Sequence, residues 1–320
     1  MIAIRLVGLT LALATLLLCT GSPARCQGPE WISQHLPGSP GLTTGDALIA
    51  PPNFGVVSDD GRYVAFYRDS DQSGGLADVF VRDRLTPSTE LMSVSMTGSA
   101  GNARSLFPLI SGDGRFVVFT SFADNLVPDD GNGQFDAFIR DRVLGTTEAV
   151  SLSRFGTGTS NGSSTALAMS TDASVVLFQS TASDIVPEPP RFRELYLADS
   201  TSGEVRMLSL GLDGSGQGIG TTFFSCAISD DGRRIVFTVE GGGMVADDEN
   251  GVEDLFLFDR DTGETRLLSR RAGTGASANG RSIFPVITPV GRFATFQSEA
   301  SDLVPGDTNG EFDVFRVDLD

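Results

Sequence analysis

A nine-residue phrase returns five times along this chain: SDDGRYVAF at 58–66, SGDGRFVVF at 111–119, STDASVVLF at 170–178, SDDGRRIVF at 229–237 and TPVGRFATF at 288–296. Successive copies begin 53, 59, 59 and 59 residues apart. A repeat of this length means that one supersecondary unit is built again and again, each copy burying its apolar face against its neighbours. The fold class follows from one unit and from how units stack.

Each unit parses into four short strands. Strand A is the apolar run before the phrase, as in SLFPLIS ending at Ser111 or SIFPVIT ending at Thr288; in the first unit it is FGVVS at 54–58. Asp-Gly then supplies the positive φ angles of a tight hairpin turn, and strand B follows, as in RFVVFTS. Strand C is DAFIRD at 136–141, ELYLAD at 194–199, DLFLFD at 254–259 and DVFRVD at 313–318. A second tight turn, such as RDTGET at 260–265, leads to strand D, RLLS at 266–269. Four antiparallel strands repeated about an axis make the blade of a β-propeller. A solenoid stacks shorter units and does not set two tight turns and two long loops so regularly. The expected fold is therefore all-β: a five-bladed β-propeller of four-stranded antiparallel blades over residues 28–320.

The run S-x-D-G-R-x-V-x-F, the NLVP and DLVP segments, D-x-N-G-x-x-D-V-F and the closing VS or LS resemble the TolB-type, WD-repeat-like propeller repeats of bacterial exported proteins. The resemblance spans residues 30–320 and departs in the third unit, where DAS replaces Asp-Gly-Arg at 172–174. It implies a fold. It implies no single activity, because propellers host many.

The last unit has strands A, B and C but no D. Upstream of the first unit, PEWISQHLPG at 29–38 parallels TEAVSLSRFG at 147–156, so Trp31, Ile32 and Ser33 are expected to supply the outer strand of the fifth blade beside Val314–Asp318. Such closure would cover an otherwise open sheet edge. Strand parity then sorts the loops: A–B and C–D turns share one face, and B–C loops and D–A crossovers share the other. The second set is long, as in SFADNLVPDDGNGQF at 121–135 and SRFGTGTSNGSS at 153–164. Long loops on a rigid scaffold are where binding concentrates, which makes this the candidate face.

Residues 1–27 read as a secretory leader: Arg5, an apolar stretch from Leu6 to Leu18, and a small-x-small cleavage pattern at Ser22-Pro23-Ala24. The apolar stretch is too short to span a bilayer. Leu18 before Cys19 argues against a lipid anchor. Secretion or a periplasmic location is expected. Cys226 retains at most one potential partner, Cys26, so no disulfide framework can form. A net charge of −18 disfavours nucleic acid and anionic lipid as partners. The expected partner is a protein or glycan of the cell envelope, and the expected state is a monomer.

One constellation recurs on the long-loop face: Asp130, Asn132 and Asp136; Asp248, Asn250 and Asp254; Asp307, Asn309 and Asp313. Oxygen side chains at positions 1, 3 and 7 around a Gly turn suit a hard cation such as calcium. The same residues are ordinary turn formers whose side chains cap their own loops, and the pattern is absent from the first and third units. Arg62, Arg115, Arg233 and Arg292 are expected to pair with the strand-C aspartates Asp83, Asp141, Asp259 and Asp318. Phe66, Phe119, Phe178, Phe237 and Phe296 are expected in the core between blades. The NLVP, DIVP and DLVP segments are expected to pin each long loop through their apolar pair.

No catalytic or cofactor-binding residues emerge from the sequence. His35 is the only histidine, and no G-x-S-x-G elbow is present. Zinc lacks ligands. The enzyme class that survives is a carbohydrate-active hydrolase with two carboxylates across an axial pocket. Against it, the acids here repeat from unit to unit, and strands A carry none in SLFPLIS, STALAMS, FFSCAIS and SIFPVIT. The expectation is a non-enzymatic binding or scaffold module.

Overall fold

The computed structural model describes residues 42–48 (backbone only), 55–70, 76–86, 88–219 and 226–320. Among the described residues nineteen strands fall into five antiparallel sheets. Sheet 1 holds β1 (Leu42–Leu48), β2 (Tyr63–Ser70), β3 (Ala77–Asp83) and β4 (Ser88–Leu91). Sheet 2 holds β5 (Ser105–Ile110), β6 (Phe116–Ser121), β7 (Asp136–Asp141) and β8 (Thr146–Ala149). Sheet 3 holds β9 (Ser164–Met169), β10 (Val175–Ser180), β11 (Glu194–Asp199) and β12 (Val205–Met207). Sheet 4 holds β13 (Cys226–Ile228), β14 (Arg234–Val239), β15 (Asp254–Asp259) and β16 (Glu264–Leu267). Sheet 5 holds β17 (Ser282–Ile287), β18 (Phe293–Ser298) and β19 (Asp313–Asp318). Strands C expected at 136–141, 194–199, 254–259 and 313–318 match β7, β11, β15 and β19 residue for residue.

The hairpin chemistry explains the repeated phrase. In sheet 2 the Ser111 hydroxyl donates to Asp113 at 2.6 Å, and Asp113 accepts the N–H of Arg115 at 2.9 Å. Ser111 Oγ accepts the N–H of Phe116 at 2.8 Å. Gly114 between them sits at φ 72°, a conformation that L side chains resist. The third unit, which lacks the glycine, forces Ala173 into the same region at φ 57°. Arginine then returns to the sheet: Arg62, Arg115, Arg233 and Arg292 reach Asp83, Asp141, Asp259 and Asp318 at 2.7, 2.6, 3.2 and 3.2 Å.

Strand B is buried on both sides in the middle blades, which is why it reads as a continuous apolar run rather than an alternation. Val117 and Phe119 pack toward sheet 1, and Val118 packs toward sheet 3. Phe66, Phe119, Phe178, Phe237 and Phe296 are all buried. Each pairs across the sheet with an aromatic of strand C; the centroids of Phe119 and Phe138 are 5.9 Å apart and those of Phe178 and Tyr196 are 5.3 Å apart. Such aromatic pairs add about 0.5–1.5 kcal/mol beyond area burial. Hydrophobic clusters join sheets 1 and 2, 2 and 3, 3 and 4, and 4 and 5.

The inner edges of all five sheets converge on a cavity of about 280 Å³, lined by Val57, Ile110, Met169, Ile228 and Ile287 among others. A hydrogen-bonded chain links the A–B turns around it: Asp59 N to Gly112 O, Gly112 N to Thr171 O, Thr171 N to Asp230 O, and Asp230 N to Pro289 O, at 2.8–2.9 Å. Pro289 has no N–H, so the chain of bonds stops at the fifth blade. This arrangement is a five-bladed β-propeller. The expected closing residues Trp31, Ile32 and Ser33 lie outside the described residues, as do His35 and the leader at 1–27.

Two features depart from the sequence reading. In sheet 1, Val57 does pair with Val64 as the inner strand, but β1 adds a second stretch along β2, with Ala47 opposite Arg68 and Leu48 opposite Tyr67. Strand A also carries a bulge in sheets 2 and 5, where Phe107 and Phe284 precede proline at φ 54° and 53°.

Candidate functional site

The long-loop face is built by hydrogen bonds that run from each blade to the next. Every D–A crossover between described blades folds into a small hairpin, marked by the bridges Val94–Ala100, Leu152–Thr159, Leu210–Gly216 and Arg270–Ser277. Each hairpin docks on the B–C loop of the following blade: Met96 N donates to Asn125 O, Arg154 N to Asp184 O, Leu212 N to Gly243 O, and Ala272 N to Asp302 O. Side chains reinforce three of these joints. Asn125, Asp184 and Asp302, the first residues of NLVP, DIVP and DLVP, accept the N–H groups of Asn102, Asn161 and Asn279 at 3.1, 2.9 and 2.9 Å. The apolar pairs Leu126–Val127 and Ile185–Val186 are buried beneath, as expected, whereas Val304 of the fifth blade is exposed. The sequence reading missed the Asx clamp. Its signal was the Asn or Asp that opens every L-V-P segment, paired with an Asn 23 residues upstream.

On this ordered frame large apolar side chains stand in solvent. Phe155 is 62% exposed and Phe192 75% exposed, with Met96, Phe122, Leu212 and Phe312 also on the same loops. Arginine lies against two of the rings: the guanidinium carbon of Arg154 is 4.3 Å from the Phe155 centroid and that of Arg281 is 5.1 Å from Phe312.

Beneath the loops, strand C carries an acid at its first residue, or in blade 1 its second: Asp78, Asp136, Glu194, Asp254 and Asp313. The closing serine of strand D serves it. Ser93, Ser151, Ser209 and Ser269 donate to Asp78, Asp136, Glu194 and Asp254 at 2.7, 2.7, 2.6 and 2.5 Å. The same hydroxyls accept the next backbone N–H of strand C, as from Ala137 at 3.1 Å. Burial pushes Asp136 up to about 7 against the opposing hydrogen bonds of Ser151 and Asn132. Burial likewise pushes Asp254 up to about 7, opposed by Ser269 and Asn250 and reinforced by Asp248.

The three candidate cation triplets are not equivalent in geometry. In blade 2, Asn132 Nδ2 donates to Asp136 Oδ2 and to Ser160 O, both at 2.6 Å, while Asn132 Oδ1 accepts the N–H of Gln134. Asp130 accepts the Thr159 hydroxyl at 2.9 Å. In blade 5, Asn309 Nδ2 donates to Asp313 at 2.8 Å and Asn309 Oδ1 accepts the N–H of Glu311; Asp307 lies near the start of this loop. In blade 4, Asn250 Nδ2 donates to Ala278 O at 2.6 Å, the counterpart of the Asn132 bond to Ser160 O. Asp248 uses one oxygen on the N–H groups of Gly243 and Met244. Among the described residues no three His, Cys, Asp or Glu side chains gather as a metal cluster.

The axial cavity is predominantly apolar along the inner strands. Its carboxylates, Asp59 and Asp230, come from exposed A–B turns at one mouth. Cys226 is buried, and burial pushes its thiol up to about 12. Among the described residues no helix is long and apolar enough to cross a membrane.

Antiparallel sheets about an apolar axis define a propeller, and comparison with solved structures finds similar ones. The chain is structurally similar to TolB from Acinetobacter baumannii (16% identity, TM-score 0.40, covering 81% of this chain and 52% of that one). It is also similar to a putative TolB from Agrobacterium tumefaciens (18% identity, TM-score 0.46, covering 87% and 78%) and to the tricorn protease (16% identity, TM-score 0.50, covering 86% and 22%). The chain thus spans about half of the Acinetobacter protein and about a fifth of the protease. At these identities the likeness concerns the fold alone. No family model and no curated protein matches the sequence.

Proposed function

We propose that this chain is an exported, non-enzymatic binding or scaffold module that holds a protein or glycan of the cell envelope on its long-loop face. The observation that carries this reading is the set of exposed aromatic side chains, Phe155 and Phe192 foremost. They stand on loops whose backbones are tied from blade to blade. Aromatic groups on a pre-ordered frame give contact area at low entropic cost. The leader read at residues 1–27 supports export, and the net charge of −18 weighs against nucleic acid.

A carbohydrate-active enzyme is the competing reading, favoured only by Asp59 and Asp230 lining the same cavity. Both sit on turns rather than on the inner strands, where a rigid carboxylate pair would be held. Incubating the purified chain with a glycan array tests both readings together. Retention without cleavage supports the binding module. Cleavage that disappears in Asp59→Asn and Asp230→Asn would replace it with the hydrolase.

A further inference from the structure

Blades 2 and 5 carry the same device at the long-loop end of their inner strands, with one exchange. Three repeats of 59 residues relate Arg104 to Arg281, Phe135 to Phe312 and Phe122 to Glu299. Both arginines stand over rings, their guanidinium carbons 5.3 Å and 5.1 Å from the centroids of Phe135 and Phe312. Both sit at the same backbone joint, where Phe122 N donates to Arg104 O at 3.0 Å and Glu299 N donates to Arg281 O at 3.2 Å. In blade 5 the guanidinium is answered within the chain, since the Glu299 carboxylate lies 3.7 Å from Arg281. In blade 2 that carboxylate is missing. Phe122 fills its place, 43% exposed, with its ring edge-on to Phe135 at 5.2 Å between centroids and 66° between planes. Arg104 is exposed and has no acid partner among the described residues, in a chain where acids outnumber basic residues 41 to 23.

Blade 5 thus displays the complement that blade 2 lacks: a carboxylate on a guanidinium that lies against a ring. A guanidinium backed by a ring keeps its in-plane N–H groups for a planar carboxylate. The faces of the two phenyl rings carry negative potential, which attracts the polarised C–H groups of a sugar. The backbone around them is spent, because Phe122 N and Arg104 O bond each other and Phe135 O accepts from Ser164 N at 2.6 Å. An extended peptide is held through main-chain groups and finds none free at these atoms, whereas a sugar ring needs only the side chains. The net charge of −18 disfavours a densely charged polyanion and favours one whose carboxylates are spaced by neutral units. We propose that Arg104, Phe122 and Phe135 bind a uronic acid residue of an acidic glycan, with the sugar face on the phenyl rings and the carboxylate on Arg104. This rests on the reading of the long-loop face as the binding surface and names the class of its ligand.

Titration calorimetry of the full chain tests this with a tetrasaccharide that alternates glucuronate and N-acetylglucosamine, and with the same tetrasaccharide after reduction of its carboxyl groups. The expected result is saturable binding of about one acidic tetrasaccharide per chain, at least about tenfold weaker for the reduced form and for Arg104→Gln, the loss of a charge-assisted pair. Phe122→Glu copies the blade 5 arrangement onto blade 2 and should abolish binding while melting like the unmodified chain. The reciprocal Glu299→Phe releases Arg281 and should add a second site of similar affinity. Equal binding of both tetrasaccharides, binding indifferent to Arg104→Gln, or no binding at all would overturn the proposal. Binding of an acidic peptide that depends on Arg104, with the tetrasaccharide inert, would overturn it in favour of a protein ligand. Capture from envelope extract that survives Arg104→Gln but not Phe155→Ser with Phe192→Ser would keep the long-loop face as the binding surface and reject the glycan assignment alone.

Discussion

Arg115 places Nε at 3.0 Å and Nη2 at 2.6 Å from the same oxygen of Asp141, across the hairpin from strand B to strand C. That guanidinium, with the N–H groups of Leu144 and Val143, holds Asp141 down to about 2. The folded carboxylate resists protonation more than the unfolded one, whose ordinary value is near 4. Stability from this pair is therefore complete above about pH 4 and is lost as pH falls toward about 2. Replacing Arg115 by Ala should flatten the acid limb of a melting-temperature profile and change stability little at pH 7, because the arginine is partly exposed and the pair is screened by solvent.

Asp136 predicts the opposite slope. Its folded form holds a proton up to about pH 7 that the unfolded chain releases near 4. Stability should thus decline as pH rises from about 4 to about 7 and level off above. Ser151→Ala removes the hydroxyl that bridges Asp136 and the N–H of Ala137. Leaving these buried groups unpaired should cost about 1–3 kcal/mol by denaturant unfolding.

The degenerate third unit offers a reciprocal pair of substitutions. Ala173→Gly relieves a left-handed backbone worth roughly 1–2 kcal/mol, partly offset by the extra freedom of glycine when unfolded, so melting should rise modestly. Gly232→Ala introduces the same strain at φ 68° and sets a new Cβ 2.9 Å from Val175 Cγ2. It should lower stability by about 1–2 kcal/mol.

Sheet 5 has three strands among the described residues, and β19 alternates half-buried and exposed positions along its length. The sequence parallel between PEWISQHLPG and TEAVSLSRFG predicts that residues 28–36 add its fourth strand. Deleting them should lower the melting temperature. A variant that melts like the full chain contradicts the closure.

The blades were legible because their signals are local and repeated: Ser-x-Asp-Gly-Arg fixes one turn, and the Phe of strand B fixes the face between blades. Strand β1 escaped because LTTGDAL at 42–48 lacks apolar–polar alternation and contains Gly-Asp, a turn-forming pair. The loop face was located by strand parity, but its joints were not, since Asn125 and Asn102 meet only once adjacent blades are packed. The cation triplets looked alike in sequence for the same reason. The carbonyls that the Asn amides reach, Ser160 O from Asn132 and Ala278 O from Asn250, lie 28 residues on and meet them only in the folded crossover.

Whether the long-loop face is the binding surface is measured most directly by paired surface variants. Phe155→Ser with Phe192→Ser alters that face, and Val143→Ser with Leu144→Ser alters the opposite one, all four side chains being exposed. Each tagged chain is used to capture partners from envelope extract, with retention quantified against the unmodified chain. The prediction is unchanged melting for both pairs, and retention reduced at least about tenfold, the loss of one hot-spot anchor, in the first pair only. Equal retention by the first pair, or loss confined to the second, would contradict it.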